Sequence, residues 1–248
     1  MKVLKCNPII FLRKYIVKFY FIMLEYTHYR SRGKNMSLKI PIETSARHVH
    51  VCEEDFKKLF GEDAELTYVH ELSQPGQYLC KERVTIVGPR GKFENVAILG
   101  PYRKETQIEL SMTDTRKIGV PGVIRQSGHT DGTPGCSLIG PKGTIELEKG
   151  VIVAKRHIHM TPLEASRARV RDNDEVFVIT ESYERGLIFA DVVVRVSPSF
   201  KLAMHVDTDE ANAFASDVAP TGAILKLIDG QTNSLQQWAD EIQSGINR

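Results

Sequence analysis

Cysteine is scarce and scattered: Cys6, Cys52, Cys80 and Cys136 include no C-x-x-C pair. That spacing excludes a disulfide scaffold and fits free thiols in a reducing compartment. Long uncharged apolar runs are missing as well. The most apolar stretch, Ile9 to Leu24, is interrupted by Arg13, Lys14 and Lys18, whereas a spanning helix needs about 20 mostly uncharged residues. A secretory leader is not expected either, because no clean apolar segment ends in a small-residue cleavage site. Nor is there a broad basic field. The formal net charge of +2 conceals a segregation: residues 1–35 hold eight Lys or Arg against one acid, Glu25, leaving 25 bases and 30 acids for the rest. A mildly acidic body excludes a nucleic-acid groove, so a small anion must be met by a few placed bases.

What is present reads as an ordinary globular chain, 42% hydrophobic and 26% charged, behind an unusual extension. In residues 1–35, Leu12, Ile16, Phe19 and Met23 recur at helical intervals while Lys14 and Lys18 sit four apart. This predicts an amphipathic helix that docks on a protein or membrane surface. A start at Met36 is the competing reading. From Lys39 onward, short alternating runs separated by Gly and Pro predict mostly β structure with short helices. A hairpin is expected about Pro89-Arg90-Gly91, and another turn at Tyr183-Glu184-Arg185-Gly186.

The body contains a duplication. Arg47-His-Val-His-Val-Cys-Glu-Glu-Asp55 parallels Arg156-His-Ile-His-Met-Thr-Pro-Leu-Glu164. In each copy a His-x-His strand runs straight into a helix start. Thr161, Pro162 and Glu164 compose a capping box with proline at the first helical position. Further on, Glu109-Leu-Ser parallels His205-Val-Asp, each before a short polar helix. The expected fold is therefore mainly β with short helices, built as two duplicated capped β-barrel domains. The expected boundaries are 36–127 and 128–230, with a C-terminal helix over 231–248. That helix, with Trp238 and Ile242 on one side, could dock on the body or on a neighbouring copy in a homo-oligomer.

Alternate residues of a strand share a face, so His48 and His50 project together, as do His157 and His159. Paired imidazoles suit zinc, which takes three protein ligands at a catalytic site. The repeat nominates the third: Glu109 in one copy, His205 in the other. A single His-x-His would more often be structural, but two copies in register, each with a matched distal ligand, reverse that balance. His28, His70 and His129 gain no such support. Cys52, two residues past His50, corresponds to the capping residue Thr161, which favours capping or packing over ligation.

These residues resemble one family, the PduL-type phosphate propanoyltransferases (phosphotransacylases). The resemblance is carried by Ile40-Pro-Ile-Glu-Thr-Ser-Ala-Arg-His-Val-His50, Leu72-Ser-Gln-Pro-Gly-Gln77, Leu99-Gly-Pro-Tyr-Arg-Lys-Glu-Thr-Gln-Ile-Glu-Leu-Ser111, Val153-Ala-Lys-Arg-His-Ile-His159 and His205-Val-Asp-Thr-Asp-Glu-Ala-Asn212. It covers roughly residues 39–228. It implies two capped β-barrels with a two-zinc site between them, and exchange of phosphate and coenzyme A on a propanoyl group. It also implies a bacterial microcompartment lumen (otherwise the cytoplasm), entered when an N-terminal helix engages shell or cargo proteins. The resemblance assigns the six zinc ligands named above, Arg103 to phosphate, and Thr44, Ser45, Ala46, Arg90 and Asn212 to coenzyme A. Ala97 departs from the pattern, standing where the family often has an arginine. Direct attack of phosphate on the thioester is the expected mechanism, with an acyl-carrying Cys52 as its rival. A zinc hydrolase of esters or amides fits less well, since no general-base glutamate accompanies the histidines. A zinc-stabilised binding module would favour four ligands and cysteine.

Overall fold

The computed structural model describes residues 38–181, 185–214 and 220–225. The N-terminal extension and the C-terminal stretch 231–248 lie outside the described residues, as does the first half of the turn expected at 183–186.

The first strands in chain order are β1 (Ile40–Ser45), β2 (His48–His50), β3 (Tyr68–Glu71), β4 (Tyr78–Gly88) and β5 (Gly91–Gly100). Next come β6 (Gln107–Glu109), β7 (Ile124–Arg125), β8 (Ser137–Ile139), β9 (Thr144–Glu146) and β10 (Val151–Ala154). The last are β11 (His157–Met160), β12 (Glu175–Thr180), β13 (Ile188–Val196), β14 (Ala203–Asp207) and β15 (Thr221–Leu225). Four short helices punctuate them: α1 (Glu53–Phe60), α2 (Met112–Ile118), α3 (Pro162–Ala168) and α4 (Thr208–Ala213). The fold is mainly β, as the alternating pattern predicts.

Local chemistry explains the punctuation. The long hairpin β4–β5 turns at Pro89-Arg90, with Gly88 paired to Gly91. A Cβ on Gly88 would lie 2.4 Å from the Ile118 carbonyl oxygen, so the hairpin tip closes on α2 only because that side chain is absent. At α3 the expected capping box is present: Thr161 Oγ1 accepts from the Glu164 backbone N–H, and the Glu164 carboxylate accepts from that of Thr161. Cys52 holds the matching N-cap position of α1 without a side-chain cap bond. Ser111 and Asp207 cap α2 and α4 at equivalent places in the repeat.

The strands form one closed barrel, β1-β14-β11-β13-β12-β15, and a nine-stranded sheet in the order β7-β10-β6-β2-β5-β4-β8-β9, with β3 attached to β4. One copy of the repeat thus closes and the other opens into a sheet.

The division into strands departs from the expected boundary at 127/128. β1, from the first copy, enters the barrel parallel to β14; β8, β9 and β10, all from beyond the boundary, join the sheet, β8 antiparallel to β4 and β10 parallel to β6. The exchange is reciprocal and in register: Ile42 pairs with Met204 as Val151 pairs with Ile108, and Glu43 with His205 as Ile152 with Glu109. Burial drives it. Ile40 and Ile42 are enclosed in the barrel core with Ile158, Met160 and Phe214. Val151 is enclosed in the sheet's core with Val49, Phe56, Ile98 and Ile108. Each buried aliphatic side chain contributes about 1.5–3 kcal/mol, so each copy depends on the strand donated by the other.

A candidate metal and anion site between the two copies

The strand exchange sets the two His-x-His strands on either side of one cavity of about 520 Å³. Its lining includes all six histidine and glutamate candidates, Arg103, and Thr44, Ser45 and Ala46. Arg90 and Asn212 are not brought to it: both are exposed, on the β4–β5 turn and on α4. Ala97, next to His48 in the β2–β5 register, is part of the lining.

Cross-strand pairing puts each distal candidate opposite a histidine. His48 faces Glu109 across β2–β6, and His157 faces His205 across β11–β14. The same support stands behind both copies. Arg47 makes two bonds to the Asp114 carboxylate, at 2.9 and 2.8 Å, and lies over the Phe93 ring. Arg156 bonds Glu210 at 2.6 Å and lies over Phe189. Each arginine ties its histidine strand to the helix after the distal candidate.

Hydrogen bonding settles the tautomers. His48 Nδ1 is 2.8 Å from the Ala46 carbonyl oxygen, His50 Nδ1 3.3 Å from that of Leu99, and His157 Nδ1 2.9 Å from that of Lys155. A carbonyl only accepts, so each Nδ1 carries the proton and each Nε2 presents a lone pair. His48 Nε2 and His50 Nε2 then stand 3.2 Å apart, with Glu109 Oε2 3.6 Å from the first and Oε1 3.8 Å from the second. Two lone pairs and a carboxylate converging in a buried place repel one another unless a cation lies among them. The ligand atoms of the three residues all fall within 4.8 Å of one another, a group able to hold a metal ion.

The second trio is looser but converges as well. Ring centroids are 4.6 Å apart for His157–His159, 5.4 Å for His157–His205 and 5.0 Å for His159–His205. His159 Nδ1 and His205 Nε2 are buried without a hydrogen-bond partner, a rare condition that a bound cation relieves. The first trio therefore fits the divalent ion the resemblance implies, and among the described residues it is the one group whose ligand atoms converge within 4.8 Å.

Electrostatics keep these groups ready to donate electron pairs. Burial, with the charges of His48 and Arg103, lowers His50 to about 3. Burial and His205 lower His157 to about 4, and burial with His157 and His205 lowers His159 to about 2. His205 is also depressed, by burial first. Burial by itself would raise the Glu109 carboxyl, but His48, His50, the Ser127 hydrogen bond and Arg103 overcome it and hold the group at about 2. At neutral pH the imidazoles of His50, His157 and His159 are neutral and the Glu109 carboxylate is charged, the forms a metal requires.

Two residues outside the sequence reading organise this half of the site. Ser127 Oγ donates to Glu109 Oε1 at 2.7 Å and accepts from Arg103 Nη1 at 2.8 Å and Gln107 Nε2 at 3.0 Å. Gln107 also donates to Glu109 Oε1 at 2.7 Å. Both bonds engage Oε1 and leave Oε2 turned to His48. Gln107 shares a strand face with Glu109, a signal that spacing could have supplied; Ser127 lies in an irregular segment and gave none. Cys52 is absent from the lining, its Sγ accepting from Thr106 Oγ1 at 3.5 Å. The buried thiols are poor nucleophiles, since burial pushes Cys80 up to about 11 and Cys136 to about 12.

A sequence profile described as phosphate propanoyltransferase matches residues 41–217. The chain belongs to the phosphate propanoyltransferase family. It is 58% identical over 174 residues to the phosphate propanoyltransferase of Thermotoga maritima, covering 70% of this chain and 83% of that one. It is 54% identical over 186 residues to that of Sebaldella termitidis (75% and 87%) and 49% identical over 178 residues to that of Citrobacter freundii (72% and 84%). The family is one of acyltransferases that join acyl-CoA and phosphate chemistry. Its match spans both His-x-His strands, Arg103 and both distal candidates. Among the described residues no helix is long and apolar enough to cross a membrane.

Proposed function

We propose that the chain interconverts propanoyl-CoA plus phosphate with propanoyl phosphate plus coenzyme A at the cavity between its two copies. The observation that carries this reading is the gathering of both histidine trios and Arg103 around one space of about 520 Å³. That volume suits a thioester head and a phosphate side by side.

In the forward step a phosphate oxygen attacks the thioester carbonyl carbon, the C–S bond breaks, and coenzyme A leaves as the thiolate. Arg103 binds the phosphate: a guanidinium presents paired donors to phosphate oxygens, and Ser127 anchors one arm so that the other stays free. Holding the nucleophile beside the carbonyl supplies proximity and alignment. His48, His50 and Glu109 are suited to hold one zinc ion, and His157, His159 and His205 a second. When bound there, zinc supplies Lewis-acid polarisation of the carbonyl and a soft partner for the departing sulfur. Thr44, Ser45 and Ala46, at the cavity's edge, are assigned to coenzyme A; Arg90 and Asn212 would reach it only outside the cavity. The position of Cys52 outside the lining supports direct attack over an acyl-cysteine.

The decisive assay is release of free thiol from propanoyl-CoA. It is expected only when phosphate is present, and to cease on chelation; thiol release without phosphate would identify a hydrolase. Arg103→Ala is expected to abolish the phosphate-dependent rate with metal content intact, and parallel loss of both would make the residue structural. Residues 1–35 are assigned to microcompartment entry through shell or cargo proteins. Their deletion should release the enzyme from the compartment without lowering its activity in solution, and unchanged partitioning would refute that assignment.

A further inference from the structure

Four basic side chains line the cavity: Arg47, Arg103, Lys155 and Arg195. Two are neutralised. Arg47 is bonded twice to Asp114, and Lys155 is paired with Glu175. The other two have no carboxylate within ion-pair distance among the described residues. Arg103 donates to a serine hydroxyl, and the Arg195 guanidinium makes only a cation–π contact with Phe200, 5.9 Å from the ring centroid. They approach from opposite sides, Arg103 from the segment after β5 of the sheet and Arg195 from β13 of the barrel. They are close enough to interact: burial chiefly, and Arg195 in addition, hold the Arg103 guanidinium below its ordinary value, against the pull of Glu109. Two cations without an ion-pair partner, facing one partly enclosed space, favour an anion between them.

The repeat sharpens the point. His157 pairs with Val193 across β11–β13 as His48 pairs with Ala97 across β2–β5, so Arg195 stands beside His159 where Leu99 stands beside His50. The duplication would place an aliphatic residue at 195. The chain departs from its own pattern at a position that faces the cavity, and it does so with a side chain suited to phosphate oxygens.

We propose that Arg195 is a second phosphate-binding residue, gripping the phosphate from the barrel side while Arg103 grips it from the sheet side. The assignment deepens the transacylase reading and rests on it for the identity of the anion. Phe200, tilted 45° against the His159 ring with centroids 4.3 Å apart, lies beside the guanidinium. A phosphate held between two planar forks has its oxygens fixed in direction, which aligns the attacking oxygen better than one fork allows.

The test compares the metal-loaded full chain with its Arg195→Gln and Arg195→Lys variants. Steady-state kinetics with phosphate and propanoyl-CoA varied separately are expected to show the phosphate KM raised about tenfold or more in the Gln variant, the loss of a charge-assisted contact. The propanoyl-CoA KM should stay within about twofold of the parent, and added guanidinium ion should partly restore the phosphate KM. A rise confined to the propanoyl-CoA KM would assign Arg195 to the coenzyme's phosphates and overturn the proposal, as would no change in either. Equilibrium dialysis with labelled inorganic phosphate separates this failure from that of the transacylase reading. Weaker phosphate binding by the Gln variant sustains the proposal even if the parent releases no thiol; equal binding refutes it. Loss of metal by both variants would make Arg195 structural, and that too would overturn it.

Discussion

Replacing Ser127 by alanine removes one hydroxyl that serves both halves of the proposed chemistry. It donates to the Glu109 carboxylate at 2.7 Å and accepts from Arg103 at 2.8 Å and Gln107 at 3.0 Å. A hydrogen bond to a charged group is worth about 1.5–3 kcal/mol. For Glu109 the loss belongs at the lower end, because Gln107 Nε2 still donates to the same oxygen at 2.7 Å. About 1.5 kcal/mol corresponds to roughly a tenfold weakening of metal binding at His48, His50 and Glu109, within the range for partners that orient a ligand. Among the described residues no other side chain anchors the Arg103 guanidinium, so it gains freedom and the phosphate KM should rise by a similar factor. Metal affinity would be read by competition with a chromogenic chelator, and the phosphate KM by thiol release. A Ser127→Ala protein with metal affinity and phosphate KM both within twofold of the parent would refute the claim that this hydroxyl couples the carboxylate to the arginine.

Acid should weaken the metal-free protein before it protonates Glu109. His50 and His157 sit at about 3 and about 4 in the fold against about 6.5 when unfolded, so below pH 6.5 the unfolded chain binds more protons. Stability then falls by about 1.4 kcal/mol per pH unit for each group, until the folded values are reached. Glu109, held at about 2, adds its own loss only below pH 4.5. A melting temperature that stays flat from pH 7.5 to 5 would contradict the burial of neutral imidazoles. Severing the chain at 127/128 should leave residues 36–127 unable to fold alone, since Ile40 and Ile42 lose their burial in the barrel and the sheet core loses Leu138, Ile145 and Val151. At about 1.5–3 kcal/mol apiece the sum rivals the stability of a whole domain. Mixing the two pieces is expected to restore a folded complex by circular dichroism, and a well-folded isolated piece would show the strand exchange to be dispensable.

The candidate site was legible because its elements are local patterns. A period of two puts alternate histidines on one face whatever the tertiary setting, and duplicated text doubles the signal, so both trios could be named without coordinates. Glu109 and His205 followed from the repeat, and cross-strand pairing does set each against its histidine. Capping at Thr161 and the turn at Pro89-Arg90 are likewise short-range chemistry, decided within four residues.

Other features depended on which segments meet in space. That β1 leaves its own copy for the barrel, and β10 for the sheet, follows from long-range burial of aliphatic side chains that would look equally apolar in either place. The same long-range packing opened one copy into a sheet while the other closed. Ser127 became a junction, and Arg195 a charge without a carboxylate partner among the described residues, only when distant strands converged. Periodicity specifies which face a side chain occupies; only the packed chain specifies what that face meets.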